Sequence, residues 1–115
     1  MVYETVRYFF LTDFDEDAEM EYSKVYLITR RYHVAARNYD EEYLFDIDSG
    51  QLIFAFMQGD NASTGQKDET RYYWGPEGLV HQQVKGEPLM DDVFTQRTAS
   101  DLILAFNLVE NRSYE

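Results

Sequence analysis

The sequence predicts an α+β domain, mainly β: a curled antiparallel meander of about six strands with a C-terminal helix packed on it. Three observations lead there. Residues 2–84 are dominated by β-branched and aromatic runs broken by turn residues. Two segments read as hairpins with short Gly-containing turns, which cannot make a parallel crossover. The last stretch alone changes to helical spacing.

The elements follow in order. VYETVRYFFL (2–11) reads as a first strand. The acidic stretch DFDEDAE (13–19) reads as a turn. MEYSKVYLITRRYHVA (20–35) reads as a long second strand, with Tyr22, Tyr26, Ile28, Tyr32 and Val34 on one face by alternation. His33, beside Thr29 and Arg31, is expected at solvent or on a sheet face. EEYLFDIDSGQLIFAF (41–56) is the first hairpin, and TRYYWGPEGLVHQQV (70–84) repeats its plan. Tyr43 and Phe45 match Tyr72 and Trp74; Leu52 and Ile53 match Leu79 and Val80. Gly50 and Gly78 supply the conformations these reversals need. GDNASTGQKDE (59–69) between them reads as a flexible loop. In TASDLILAFNLVENR (98–112), Leu102, Ala105, Phe106 and Val109 have helical spacing, and Thr98 with Asp101 forms a capping-box pattern. A helix is expected near 99–110. Residues 87–97 read as loop or first helical turn.

Strand 51–57 is apolar on both faces, with Leu52, Phe54 and Phe56 one way and Ile53, Ala55 and Met57 the other. Such a strand needs two coverings. One short helix supplies one of them. The sheet's own curl, a second layer or another subunit must supply the other, so a homodimer is a candidate.

Bulk composition narrows the function. The chain has 115 residues, 44% of them hydrophobic and 17% aromatic, the mark of one folded domain. The formal net charge is −12. Direct nucleic-acid binding is disfavoured, as is attachment to anionic membranes. With no cysteine, disulfides, thiolate catalysis and sulfur-ligated zinc are excluded. No apolar run is long enough to span a bilayer, and Glu4 and Arg7 break any signal-peptide pattern at the start. Two glycosylation sequons, Asn61-Ala62-Ser63 and Asn111-Arg112-Ser113, matter only in a secreted eukaryotic chain.

Three chemistries have candidate residues. Asp13, Asp15 and Asp17 alternate as Ca²⁺ ligands do, with Glu19 near. An EF-hand needs Gly at the sixth position and Glu at the twelfth, where this chain has Ala18 and Lys24. Asp46, Asp48 and Gly50 echo half of such a loop but are also ordinary turn residues. A small hydrolase-like or lyase-like enzyme would use His33 or His81 with a carboxylate as general base. No nucleophile elbow or phosphate loop accompanies them. Tyr72, Tyr73 and Trp74, with His81, offer an aromatic binding surface for sugars or protein partners. A nucleic-acid mimic would need carboxylates along one elongated surface, whereas these cluster in loops. The leading expectation is a non-catalytic binding or interaction domain, with self-association a candidate.

The paired hairpins also carry a resemblance. Tyr43, Phe45, Gly50, Leu52, Ile53 and Phe54, then Glu69, Arg71, Tyr72, Tyr73, Gly78, Leu79 and Val80, resemble a pattern in uncharacterised bacterial secreted or lipoprotein-like domains. The resemblance covers residues 41–86 and implies a periplasmic or secreted β-rich domain with no catalytic residues to carry over. The start departs from it in lacking a signal peptide, so the expectation is either a cytoplasmic protein or a processed or trimmed chain beginning at an added Met1.

Overall fold

The structure is a computed structural model and describes the backbone of residues 3–112 and the side chains of residues 3–109. Strands β1 (Tyr3–Asp15), β2 (Met20–Val34), β3 (Arg37–Phe45), β4 (Leu52–Asp60), β5 (Lys67–Gly75) and β6 (Gly78–Lys85) pair antiparallel in chain order, and helix α1 (Asp92–Arg112) follows. The sheet is open, with β1 and β6 as its edges. The molecule measures 56 × 37 × 18 Å, a flat slab.

Three of the five turns share one device. Asp15, Asp46 and Asn61 each accept two backbone N–H bonds on one side-chain oxygen, from residues two and three places on. Each turn then needs a left-handed residue at the fifth place: Gly50 (φ 74), Gly65 (φ 70) and, unusually, Glu19 (φ 53). Asx turns of this kind explain why short acidic residues crowd here. The expected loop 59–69 is accordingly shorter than it reads. The β4–β5 ladder continues to the Asp60–Lys67 pair, and Asn61 closes the tip with Gln66.

β-Bulges set the faces. The register slips between Phe9 and Phe10, between Leu44 and Phe45, and between Tyr73 and Trp74. The unpaired residues are Tyr26, Ile53 and Val80. Each slip flips the alternation beyond it. Tyr22 is therefore out of phase with Ile28, and Leu52 joins Ala55 and Met57 rather than Phe54 and Phe56. Both corrections arise because strict alternation assumes an uninterrupted ladder. The two hairpins do match in space, with Phe45 opposite Leu52 and Trp74 opposite Leu79.

The core lies on one face of the sheet. Ile28, Tyr43, Phe45, Ala55, Met57, Tyr72 and Trp74 form it with Ala99 of α1. Phe106 packs its ring on Tyr8 at 5.1 Å and Phe10 at 5.4 Å. The hydroxyl of Tyr8 donates to the Leu102 carbonyl at 2.9 Å, and that of Tyr72 to the Met90 carbonyl at 2.6 Å. The helix begins earlier than expected. Its cap is Asp91, whose Oδ1 accepts from Phe94 N at 2.7 Å. Thr98 sits inside the helix and donates its hydroxyl to the Phe94 carbonyl at 2.9 Å, so the Thr98–Asp101 capping box is not used. Small Thr95 and Ala99 are fully buried where the helix lies close over the sheet, a contact that apolar spacing does not advertise. Val2 and Ser113, parts of the expected first strand and of the second sequon, lie outside the described residues.

Candidate interaction surface

Among the described residues, every segment that packs on the sheet packs on the core face. The other face is left open. The register brings three rows of side chains across all six strands of it. One row is Phe9, Leu27, Leu44, Phe54, Tyr73 and His81. Beside it run Arg7, Thr29, Glu42, Phe56, Arg71 and Gln83, then Thr5, Arg31, Asp40, Gln58, Glu69 and Lys85.

The first row is apolar or aromatic from Phe9 to Tyr73 and ends on the imidazole of His81. Phe54 and Tyr73 have ring centroids 5.0 Å apart, and Tyr73 and His81 5.5 Å. The next rows are ordered by charge. The Arg71 guanidinium lies 4.5 Å from the Phe56 ring centroid and donates to Glu69 at 3.0 Å. Gln58 donates to the other Glu69 oxygen at 3.0 Å, and these two bonds hold the Glu69 carboxyl below its usual range, Arg71 first. Arg31 donates to Asp40 at 2.7 Å. At the far end, Asp60 accepts from Asn38 N and from Lys67, and those bonds lower its pKa as well.

The structure separates the four residues expected to form an aromatic surface. Tyr73 and His81 lie on the open face. Tyr72 and Trp74 are 2% and 7% exposed and pack under the helix, so they leave that surface. Adjacent residues on a strand point oppositely, so a run of rings never makes one patch. The indole Nε1 of Trp74 is buried without a partner, beside a groove of about 500 Å³ between two hairpin turns and α1.

The histidines are far apart in use. His33 packs on the Tyr3 ring at 5.1 Å, and His81 on Tyr73. Neither imidazole bonds a carboxylate among the described residues. In the acidic turn, Asp15 is occupied by two backbone amides, and Asp13 accepts from Phe14 N and the Tyr22 hydroxyl. Among the described residues no three His, Asp or Glu side chains are grouped to hold a metal, so Asp13, Asp15 and Asp17 do not converge.

One polar cluster escaped the sequence reading. Glu41, 3% exposed, accepts from the Tyr43 hydroxyl at 2.5 Å, the Tyr32 hydroxyl at 2.9 Å and Arg30 Nη1 at 3.2 Å. Arg30 also donates Nε to Glu4 at 2.6 Å and stacks over Tyr32, which stacks on Tyr39. Burial and then the Glu41 charge push both hydroxyls of Tyr32 and Tyr43 far up, so they remain donors. Two-residue spacing from buried Tyr43 would have placed Glu41 on the core face.

Among the described residues no helix is long and apolar enough to cross a membrane. Comparison of the chain with protein families, curated proteins and solved structures finds no match.

Proposed function

We propose that this protein is a non-catalytic interaction domain whose open sheet face engages a protein partner. The observation that supports the reading is the unbroken row of apolar and aromatic side chains from Phe9 to Tyr73, ending at His81, in register across six strands with no described segment over it. A sheet face serving only solvent would carry polar residues along this row, as the Thr5-to-Lys85 row does. Flanking Arg71, Arg31, Glu42 and Lys85 supply the polar rim that protein interfaces combine with an apolar centre. Rings packed at a tilt, such as Phe54 and Tyr73, bury large area at low entropy cost.

The test is urea unfolding of Phe54→Gln and Tyr73→Gln at nanomolar dilution, followed by the fluorescence of Trp74, the one tryptophan of the chain. A face kept apolar for a partner tolerates polarity, and each variant should lose less than about 1 kcal/mol. Met57→Ala, 2% exposed in the core, should lose about 2–5 kcal/mol. Core-sized losses at Phe54 and Tyr73 would mean the face is held for folding, and would defeat the reading.

A further inference from the structure

We infer that the partner is a second copy of this chain, packed open face to open face as a two-fold β-sandwich. The inference rests on reading that face as an interaction surface. Charge is the first argument. The chain carries −12, so two copies repel over most of their surface. The open face is the exception. Its three full rows hold four of the ten Lys and Arg residues but three of the 22 Asp and Glu, a local net charge of +1. The remainder of the chain carries −13. Two copies can meet here without stacking like charge on like charge.

Area is the second argument. Six strands at about 4.8 Å and seven residues at about 3.4 Å give a face of roughly 29 × 24 Å. Two such faces bury on the order of 1,400 Å², within the range of stable interfaces.

Symmetry then selects the arrangement. A two-fold axis parallel to the strands, between β3 and β4, lays each row on its own copy. Leu44 then meets Phe54 of the second copy, and Leu27 meets Tyr73. In the polar row, Arg31 meets Glu69. An axis across the strands would instead lay the apolar row toward the charged one. The aligned sandwich is also the ordinary way for two sheets to pack.

Sedimentation and light scattering across a concentration series test this. The expected species is 27.2 kDa, twice the 13.6 kDa chain mass. Leu44→Lys should raise its dissociation constant about 100-fold, as central apolar anchors do. Arg31, whose side chain is 80% exposed, can be reversed without disturbing the core. Arg31→Glu alone and Glu69→Arg alone should each weaken the dimer about 10-fold, and the double variant should recover it. A monomer up to about 1 mM overturns the inference. In that case small losses at Phe54 and Tyr73 leave the face for a different protein, whereas core-sized losses remove the interaction reading too. A dimer unaffected by Leu44→Lys and by both charge reversals overturns it as well, because the copies then meet elsewhere.

Discussion

Removing the Glu41 carboxylate should be among the costliest single changes in this chain. The residue is 3% exposed and serves three donors, so its deletion orphans them together. The Tyr43 side chain is fully buried, and its hydroxyl would lose its acceptor at a cost of about 1–3 kcal/mol. Breaking a buried ion pair costs about 3–5 kcal/mol, but Arg30 is 23% exposed and keeps Glu4 at 2.6 Å, which discounts that share. Glu41→Ala should therefore lose about 3 kcal/mol, a large part of the roughly 5–15 kcal/mol that small domains possess. Tyr43→Phe removes one donor and leaves the carboxylate two others, so about 1 kcal/mol is expected. The pair Glu41→Leu with Arg30→Leu should recover much of the loss, because an apolar replacement leaves no orphan. Urea midpoints at unchanged m measure all of these. A loss under about 1 kcal/mol for Glu41→Ala would show that water reaches these groups, and would refute the reasoning.

Other outcomes test the turns, the cap, the tight glycines and the titrating groups. Glu19 sits at φ 53 where the two equivalent turns have glycine, so Glu19→Gly should stabilise by about 1 kcal/mol in thermal unfolding. Asp91→Ala should cost about 1 kcal/mol in urea, while Asp101→Ala should be nearly neutral, because Asp91 is the residue that caps α1. A Cβ on Gly59 would stand 2.7 Å from Tyr39, so Gly59→Ala should break the Tyr32–Tyr39 stack and lower the melting temperature, whereas Gly50→Ala meets no neighbour and should cost only the left-handed strain at φ 74, about 1 kcal/mol. The tyrosines Tyr32 and Tyr43 have pKa values raised above the ordinary 10.0, burial being the larger cause. Unfolded chains lose those protons first, so stability should fall as pH rises beyond about 10, read by circular dichroism. Asp60 and Glu69 titrate the other way: lowered from 3.8 and 4.5, their contribution is complete above those values and is lost as pH falls through the lowered ones.

The meander and the terminal helix were legible because turn chemistry and periodicity are local. Asp46 to Gly50 declares its turn by composition, and Leu102 with Phe106 declares a helix by spacing. Faces were less legible. Tyr22, Leu52 and the Phe54 row each lie beyond a bulge, and a bulge is a property of two strands together. The residues Ile53 and Val80 hold equivalent places in the two hairpins, so the repeat recorded the slip without revealing it. The start of α1 was hidden for another reason. Thr95 and Ala99 face the core because they are small, and smallness carries no hydrophobic signal. Glu41 is one acid among 22 and carries no local mark of burial beyond its alternation with Tyr43 and Phe45, which puts it on the core face.

Those bulges also bear on function. Without the slip at Ile53, Leu52 would fall in phase with Phe54 and stand on the open face. With it, Phe45 and Leu52 turn toward Trp74 and the helix, and Phe54 stays aligned with Leu44. The slip opposite Tyr73 and Trp74 does the same for His81. Each hairpin thus sends its end residues into the core while keeping one full row of apolar side chains on the uncovered side. Core packing needs the first effect but not the second. Charge is sorted along the same boundary, with cations concentrated on the open face and the acidic turn at Asp15 to Glu19 at the tip of a ribbon that extends beyond the β2–β3 ladder. Repulsion among these carboxylates costs least there, far from the face that two copies would share. The acidic stretch thereby serves as a turn whose charge stands apart from the face proposed for association.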